Sequence, residues 1–125
     1  MSWPYFADDE VWCKHCKVVG MRDEFMQKLV RLREKLGFPL SINSGYRCPE
    51  HNQRVSHTGP AGPHTTGLAV DISCEGERAY RIVQAALQMG FTGIGISQRA
   101  GHARFIHLDD IDGNGSIARP RVWGY

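Results

Sequence analysis

The sequence predicts an α+β fold, with a small, mainly antiparallel sheet and helices packed on one face of it. Two segments carry apolar residues at helical spacing, and four short segments alternate apolar with small or polar residues as strands do. Their order, helix-strand-strand-helix-strand-strand, is typical of that class. Because 125 residues can bury one ordinary core but not two, we expect a single domain over residues 1–125, with a cysteine-containing N-terminal segment over residues 1–20.

Each predicted helix is an amphipathic stretch that stops at a glycine. The first covers about residues 21–36 and stops at Gly37, and the second covers about residues 76–89 and stops at Gly90. The apolar stripe of the first helix is formed by Phe25, Leu29, Leu32 and Leu36. In the second helix, the expected buried face comprises Tyr80, Val83 and Leu87, with Ile82 and Ala86 beside them.

The first predicted strand begins near Leu40 and Ile42 and ends in the string Ser44-Gly45-Tyr46-Arg47. Pro49 and the polar residues after it indicate a turn or an irregular segment. Residues 55–66 are predicted to be mostly loop.

The remaining predicted strands place polar side chains on one face of the sheet. Over residues 68–73 the large apolar residues alternate with small or polar ones, so Asp71 points away from the core. Two more strands are predicted near residues 93–97 and 104–109. In the last of these, His107 and Asp109 project from the same face.

Composition is typical of a folded globular protein and narrows the range of partners. Apolar residues make up 42% of the chain and charged residues 22%, unlike disordered or membrane chains. The formal charge of +2 is small and the basic residues are scattered, so we expect no nucleic-acid partner. No apolar run approaches the roughly 20 residues that span a bilayer. We expect a monomer without a membrane span.

Three residues of the types that bind zinc stand in a suggestive arrangement. His64 and Asp71 lie seven residues apart, where predicted loop becomes strand, and His107 is available as a third ligand. A catalytic zinc usually has three protein ligands and a water. From spacing alone, the alternative is that His64 is a surface residue, Asp71 caps a turn and His107 is hydrogen-bonded in the sheet.

Three strings are distinctive in combination: Ser44-Gly45-Tyr46-Arg47-Cys48-Pro49-Glu50-His51-Asn52, then His64-x-x-Gly67-x-Ala69-x-Asp71, then Phe105-Ile106-His107-Leu108-Asp109. Together they resemble the zinc D-Ala-D-Ala carboxypeptidases, an M15-like peptidase family that also includes phage L-alanyl-D-glutamate endolysins. The fold of that family is shared by the hedgehog signalling domain. The likeness extends over about residues 20–125, including the closing string from Arg119 to Trp123.

The resemblance implies a zinc peptidase that hydrolyses a peptide bond in the stem peptides of bacterial peptidoglycan. It assigns the catalytic zinc to His64, Asp71 and His107. It assigns substrate contact and stabilisation of the oxyanion to Arg47, whose permanently charged guanidinium suits both tasks. We expect Ser44 and Tyr46 of the same string to help bind substrate. The strings do not distinguish a D-Ala-D-Ala carboxypeptidase from an L-Ala-D-Glu endopeptidase.

Two departures from the family pattern concern the chemistry. Gly62 stands where many members have a serine, and Arg104 and Phe105 stand where many carry a catalytic acid or base. Hydrolysis by a zinc-bound water needs a group that accepts a proton and returns one to the leaving amine. Asp109 is our first candidate for this catalytic role and His102 the second. Asp109 could equally orient a ligand histidine.

Cys13, Cys16, Cys48 and Cys74 are open to three interpretations. All four could bind a structural zinc, which would tie the N-terminal segment to the core. Cys48 and Cys74 could form a disulfide, since both follow strands that we expect to be close. The thiols could also be free. Residues 1–10 lack the features of a signal peptide, which favours the zinc site or free thiols over disulfides.

Three functions therefore remain open. The first is a zinc peptidase of the cell wall, and the second is a zinc-containing module that binds the cell wall but has lost its base. The third is a structural protein, such as part of a phage tail. For action at the wall, we expect a phage or prophage protein that is made in the cytoplasm without a signal peptide and released by another route.

Overall fold

Five strands form one sheet in the computed structural model, which describes residues 3–56 and 61–125. They are β1 (Ser41–Ser44), β2 (Ala69–Ser73), β3 (Gly93–Ser97), β4 (Phe105–Asp109) and β5 (Arg121–Gly124). Their order is β1-β2-β4-β3-β5, with β3 and β5 parallel and the other neighbours antiparallel. The predicted α+β class is confirmed. β5, from the closing string, was not predicted as a strand.

The described residues also form four α-helices: α1 (Asp8–Val11), α2 (Asp23–Leu36), α3 (Pro49–Val55) and α4 (Gly76–Met89). The two predicted helices are confirmed as α2 and α4. Each ends at a glycine with positive φ, 76° at Gly37 and 79° at Gly90, a conformation that side chains with a Cβ rarely adopt. None of the described helices has both the length and the apolar character needed to cross a membrane.

The segment after Pro49 is helix α3, so the predicted turn or irregular stretch is wrong. The thiol of Cys48 caps this helix by accepting a hydrogen bond from the N–H of His51, and Pro49 occupies the first turn, where its missing N–H costs nothing. Within the predicted loop over residues 55–66, residues 57–60 lie outside the described part. Pro63–Thr66 form a short 3₁₀ helix.

The core lies between helices α2 and α4 and one face of the sheet. Its apolar side chains from the sheet are Val70, Ile72, Ile94, Ile106 and Leu108. The predicted stripe of α2 is buried against them, and the N-terminal segment adds Trp3, Phe6 and Val11. Because strand side chains alternate between faces, the opposite face of β2 and β4 is left for polar groups.

The buried face of α4 includes Ile82 and Ala86, as predicted, but it is centred away from Tyr80 and Leu87. Tyr80 and Leu87 are 71% and 57% exposed, whereas Ala79, Ile82 and Ala86 are buried. The helix packs against α2 and β4, and its alanines allow close approach of the backbones. The prediction centred the buried face on large apolar residues, but Tyr80 and Leu87 lie at the solvent-exposed edge of the contact with α2 and β4.

Candidate metal centre

The structure brings the three predicted zinc ligands together on the face of the sheet opposite the core. Asp71 of β2 lies opposite His107 of β4, and His64 lies on the 3₁₀ helix before β2. One ligand atom from each residue lies within 4.8 Å of the other two, and all three residues are buried. The register of β2 and β4 therefore accounts for two of the positions, and the turn before β2 for the third.

The hydrogen bonds of His64 identify which nitrogen faces the cluster. Nδ1 lies 2.8 Å from the carbonyl oxygen of Gly45, which can only accept a proton, so Nδ1 donates and Nε2 keeps its lone pair. Nε2 lies 3.3 Å from Oδ2 of Asp71. A lone pair and a carboxylate oxygen repel each other at this distance unless a proton or a cation lies between them. The contact therefore fits a cation site.

His107 lies between two carboxylates. Its Nε2 is 2.7 Å from Oδ2 of Asp109, and its Nδ1 is 3.0 Å from Oδ1 of Asp71. When Nε2 donates its proton to Asp109, Nδ1 is left to share a cation with Asp71. Burial alone would lower the pKa of His107, but its hydrogen bonds with Asp109 and Asp71 raise it.

Asp71 is held in its charged form by the same neighbours. Burial alone would raise the pKa of this carboxyl, but its close contacts with His107 and His64 hold that pKa well below its usual range. A carboxylate and two imidazole nitrogens that converge on one point are a ligand set of catalytic zinc sites. The residues of the cluster therefore fit the metal that the sequence predicts.

Asp109 is placed to orient a ligand rather than to meet substrate. It is fully buried, and Arg119 donates a hydrogen bond to each of its carboxylate oxygens, from Nε to Oδ1 at 2.9 Å and from Nη2 to Oδ2 at 2.8 Å. Burial would raise the pKa of Asp109, but hydrogen bonds from His107 and Arg119 lower it to about 2. Of the two predicted roles, the geometry favours orientation of His107 and does not place Asp109 as the base.

Two glycines of β3 make this arrangement possible, and sequence reasoning missed them. Gly93 is paired with Asp109 in the sheet, and a Cβ at Gly93 would overlap the carboxylate. A Cβ at Gly95 would come within 2.8 Å of Nε1 of Trp123, whose ring lies 5.1 Å from that of His107. The Gly-x-Gly spacing in a strand was the available signal.

Arg47 reaches the cluster from the end of β1. Its Nη2 lies 3.6 Å from Oδ2 of Asp71, Nε donates to Oγ of Ser44 at 3.1 Å, and Nη1 donates to Oδ1 of Asn52 at 3.2 Å. Ser44 therefore acts through Arg47. Asn52 was missed because its helix was missed. Tyr46 turns its ring onto the N-terminal segment, where a Cβ at Gly20 would lie 2.6 Å from it.

The cluster opens into a cavity of about 540 Å³. Arg47, His64, Asp71 and His107 line its floor, and the walls include Phe105, Trp123, Tyr125, Ile117, Arg119 and Arg121. His102 lies in a separate depression beside Cys74, Glu75 and Arg104. The structure thus does not bring His102 to the site, and its predicted catalytic role finds no support in the geometry.

The four cysteines do not form one cluster. One sulfur each from Cys13, Cys16 and Cys48 lies within 4.8 Å of the others, and Cys74 is outside that group. β1 and β2 are antiparallel neighbours, so the carboxyl ends that Cys48 and Cys74 follow lie at opposite ends of the strand pair. Of the three interpretations that the sequence left open, this geometry supports neither a disulfide between Cys48 and Cys74 nor a zinc site made of all four cysteines.

A small α+β domain with a buried His-Asp-His cluster at the floor of a cavity has the architecture of a metallopeptidase. The model of the family described as peptidase M15 matches residues 4–109, most of the chain. The chain belongs to the peptidase M15 family, as its motifs predicted, and membership implies peptidase activity. A comparison with curated proteins finds no match.

Proposed function

We propose that the chain is a zinc peptidase that hydrolyses a peptide bond in the stem peptides of bacterial peptidoglycan. The observation that carries the proposal is the convergence of His64 Nε2, the Asp71 carboxylate and His107 Nδ1 at the floor of an open cavity. Zinc bound there would polarise the scissile carbonyl and lower the pKa of its water toward about 7.

The residues around the ligands have separate tasks. Asp109 accepts a hydrogen bond from Nε2 of His107, which aims Nδ1 at the metal, and Arg119 keeps Asp109 charged. Ser44 and Asn52 fix the guanidinium of Arg47 beside Asp71, where it can hold a substrate carboxylate or the oxyanion. These contacts are present before substrate arrives, so little reorganisation is needed when charge develops.

The cavity wall suits a short acidic peptide. Phe105, Trp123 and Tyr125 supply apolar surface, while Arg47 and Arg121 add positive charge. Peptidoglycan stem peptides are short and carry free carboxylates, so they complement both features. The same wall is compatible with D-Ala-D-Ala carboxypeptidase activity and with L-Ala-D-Glu endopeptidase activity. The released products distinguish the two.

One observation favours a second candidate, a module that binds the cell wall through the same site without turnover. Among the described residues that line the cavity, Asp71 is the only carboxylate, and it is already committed to the ligand cluster. Phe105 occupies the position where many relatives of the predicted family have an acid or base, and its ring packs against Tyr125. Binding without product release would favour this candidate.

The test is digestion of purified peptidoglycan, with released products identified by mass. We expect zinc-dependent release that a chelator abolishes and added zinc restores. His64→Ala should release nothing, whereas the control His102→Ala, outside the cavity, should match the parent protein. Release that persists in chelator, or in His64→Ala, would contradict the proposal.

A further inference from the structure

A second group of metal-binding side chains lies outside the site described above. The sulfurs of Cys13, Cys16 and Cys48 lie within 4.8 Å of one another, the spacing that a single metal ion would bridge. Their exposure is graded: Cys13 is fully buried, Cys48 is partly buried and Cys16 is exposed. The peptidase chemistry uses none of them.

The backbone around Cys13 is arranged to stabilise a thiolate. Its buried sulfur accepts a hydrogen bond from the N–H of Cys48 at 3.3 Å. The turn is closed by the N–H of Lys17, which donates to the carbonyl of Cys13 at 2.7 Å, with Lys17 at a positive φ of 61°. An N–H donated to a sulfur favours its charged form, which is the form that binds metals.

The sulfur of Cys48 is in contact with a histidine ring. This sulfur accepts the N–H of His51 at 3.4 Å, and Nδ1 of His15 lies 3.5 Å from the same sulfur. The rings of His15 and His51 are stacked with centroids 6.1 Å apart. Of these two imidazoles, His15 is the one with a ring nitrogen in contact with a cysteine sulfur.

We propose that Cys13, Cys16 and Cys48, with His15 as the fourth ligand, bind a structural zinc ion. Three thiolates and one imidazole form a closed tetrahedral set that is common in structural zinc sites. A disulfide would use two of the three sulfurs and leave the third without a role, whereas one ion engages all three. Cys74 lies outside this group of sulfurs, and its thiol donates to the carbonyl of Ile72 at 3.3 Å.

The ion would fasten the N-terminal segment to the strand end that serves the peptidase site. The N–H of Tyr46 donates to the carbonyl of Val11 at 2.9 Å, and Cys48 follows two residues later. Between them, Arg47 contacts Asp71 through its side chain and donates its N–H to the carbonyl of His64 at 3.1 Å. An ion at Cys48 would restrain the backbone after Arg47, and the hydrogen bond of Tyr46 with Val11 restrains it before Arg47.

The site can be tested without any activity measurement. The protein is purified under reducing conditions, and zinc per chain is measured for the parent protein and for Cys16→Ser, His15→Ala, His51→Ala and Cys74→Ser. Cys16 is exposed, so its serine variant should fold even if a Cys13 variant does not. Cobalt loading then reports the ligand type, because thiolates give an intense sulfur-to-cobalt charge-transfer band that a His-Asp-His site lacks.

We expect the charge-transfer band in the parent protein and in Cys74→Ser. Both proteins should also contain one more zinc ion per chain than Cys16→Ser. His15→Ala should weaken zinc binding at the cysteines by at least tenfold, and His51→Ala should leave it unchanged. No thiolate band in the parent protein, or equal zinc in Cys16→Ser and the parent, would overturn the site. A loss in His51→Ala in place of His15→Ala would overturn the fourth ligand. Because His64→Ala should keep the band, failure here is distinguishable from failure of the peptidase proposal.

Discussion

The two candidate metal sites of this protein are built in different ways. His64, Asp71 and His107 are all buried, two of them on paired strands, and Gly45, Asp109 and Arg119 hold the cluster through hydrogen bonds. Cys13, Cys16 and Cys48 join a turn to the start of a helix, and Cys16 is exposed. The first cluster is organised by the sheet before any ion binds. In the second, an ion would add to the few hydrogen bonds that join the two segments, such as that from the N–H of Cys48 to the sulfur of Cys13.

This difference has a consequence for metal removal. Loss of zinc from the His-Asp-His cluster should abolish activity and leave the fold intact, since the sheet and its register do not depend on the ion. Loss of zinc from the cysteine cluster should lower stability, because binding energy at a structural site is folding energy. Four changes test the comparison, in decreasing order of expected effect.

The largest effect is expected from His64→Ala. Removing a ligand should reduce peptidoglycan hydrolysis by about a thousandfold or more, as expected when several kcal/mol of charge stabilisation is lost. The variant should retain zinc at the cysteines and a circular dichroism spectrum like that of the parent. No loss of metal relative to the parent protein would show that His64 is not a ligand, as the structural-protein hypothesis requires.

Asp109→Asn should have the second-largest effect. It should lower both the affinity for zinc and the stability of the fold. The change removes the negative charge of the carboxylate that accepts hydrogen bonds from Arg119 and orients His107. Zinc affinity should therefore fall about 10- to 100-fold. Leaving Arg119 buried without its partner should also cost about 3 kcal/mol in the free energy of unfolding. Chemical denaturation and zinc titration measure the two effects. Normal turnover with normal zinc affinity would contradict the orienting role.

Acid should destabilise the metal-free protein through Asp109. Burial raises the pKa of this carboxyl, but His107 and Arg119 bring it to about 2, below its unfolded value near 3.9. The unfolded state therefore takes up the proton first, and stability present above about pH 4 is lost as the pH falls toward 2. We expect a loss on the order of 2 kcal/mol. Asp109→Asn cannot titrate and should lack this component of the pH profile.

The smallest effect is expected from Arg47→Lys. A lysine keeps the charge but cannot bond Ser44 and Asn52 together as the guanidinium does, so KM for a stem peptide should rise about tenfold. Arg54→Lys is a matched control in the neighbouring helix, since Arg54 is exposed and pairs only with Glu50 among the ion pairs of the described residues. Equal kinetics for the two variants would contradict a substrate-binding role for Arg47.

Local patterns were enough to predict much of the fold and the positions of the ligands. The stripe from Phe25 to Leu36 gave helix α2, and alternation around Asp71 placed this carboxylate on the polar face. The proximity of His64, Asp71 and His107 followed from the family motifs together with the strands.

What could not be predicted depends on contacts between distant segments. Arg119 binds Asp109 only because the closing segment folds back beside β3. The spacing of residues in the sequence does not predict that contact. Asn52 required helix α3, whose cap is a thiol rather than one of the usual capping residues. The antiparallel register of β1 and β2, which separates Cys48 from Cys74, likewise exists only once the strands pair.

The most direct test of the account is a crystal structure of the zinc-loaded protein with anomalous scattering measured at the zinc absorption edge. We predict a peak bounded by Nε2 of His64, the carboxylate of Asp71 and Nδ1 of His107, and a second peak among the cysteine sulfurs. Absence of the first peak from a protein that hydrolyses peptidoglycan would contradict the account.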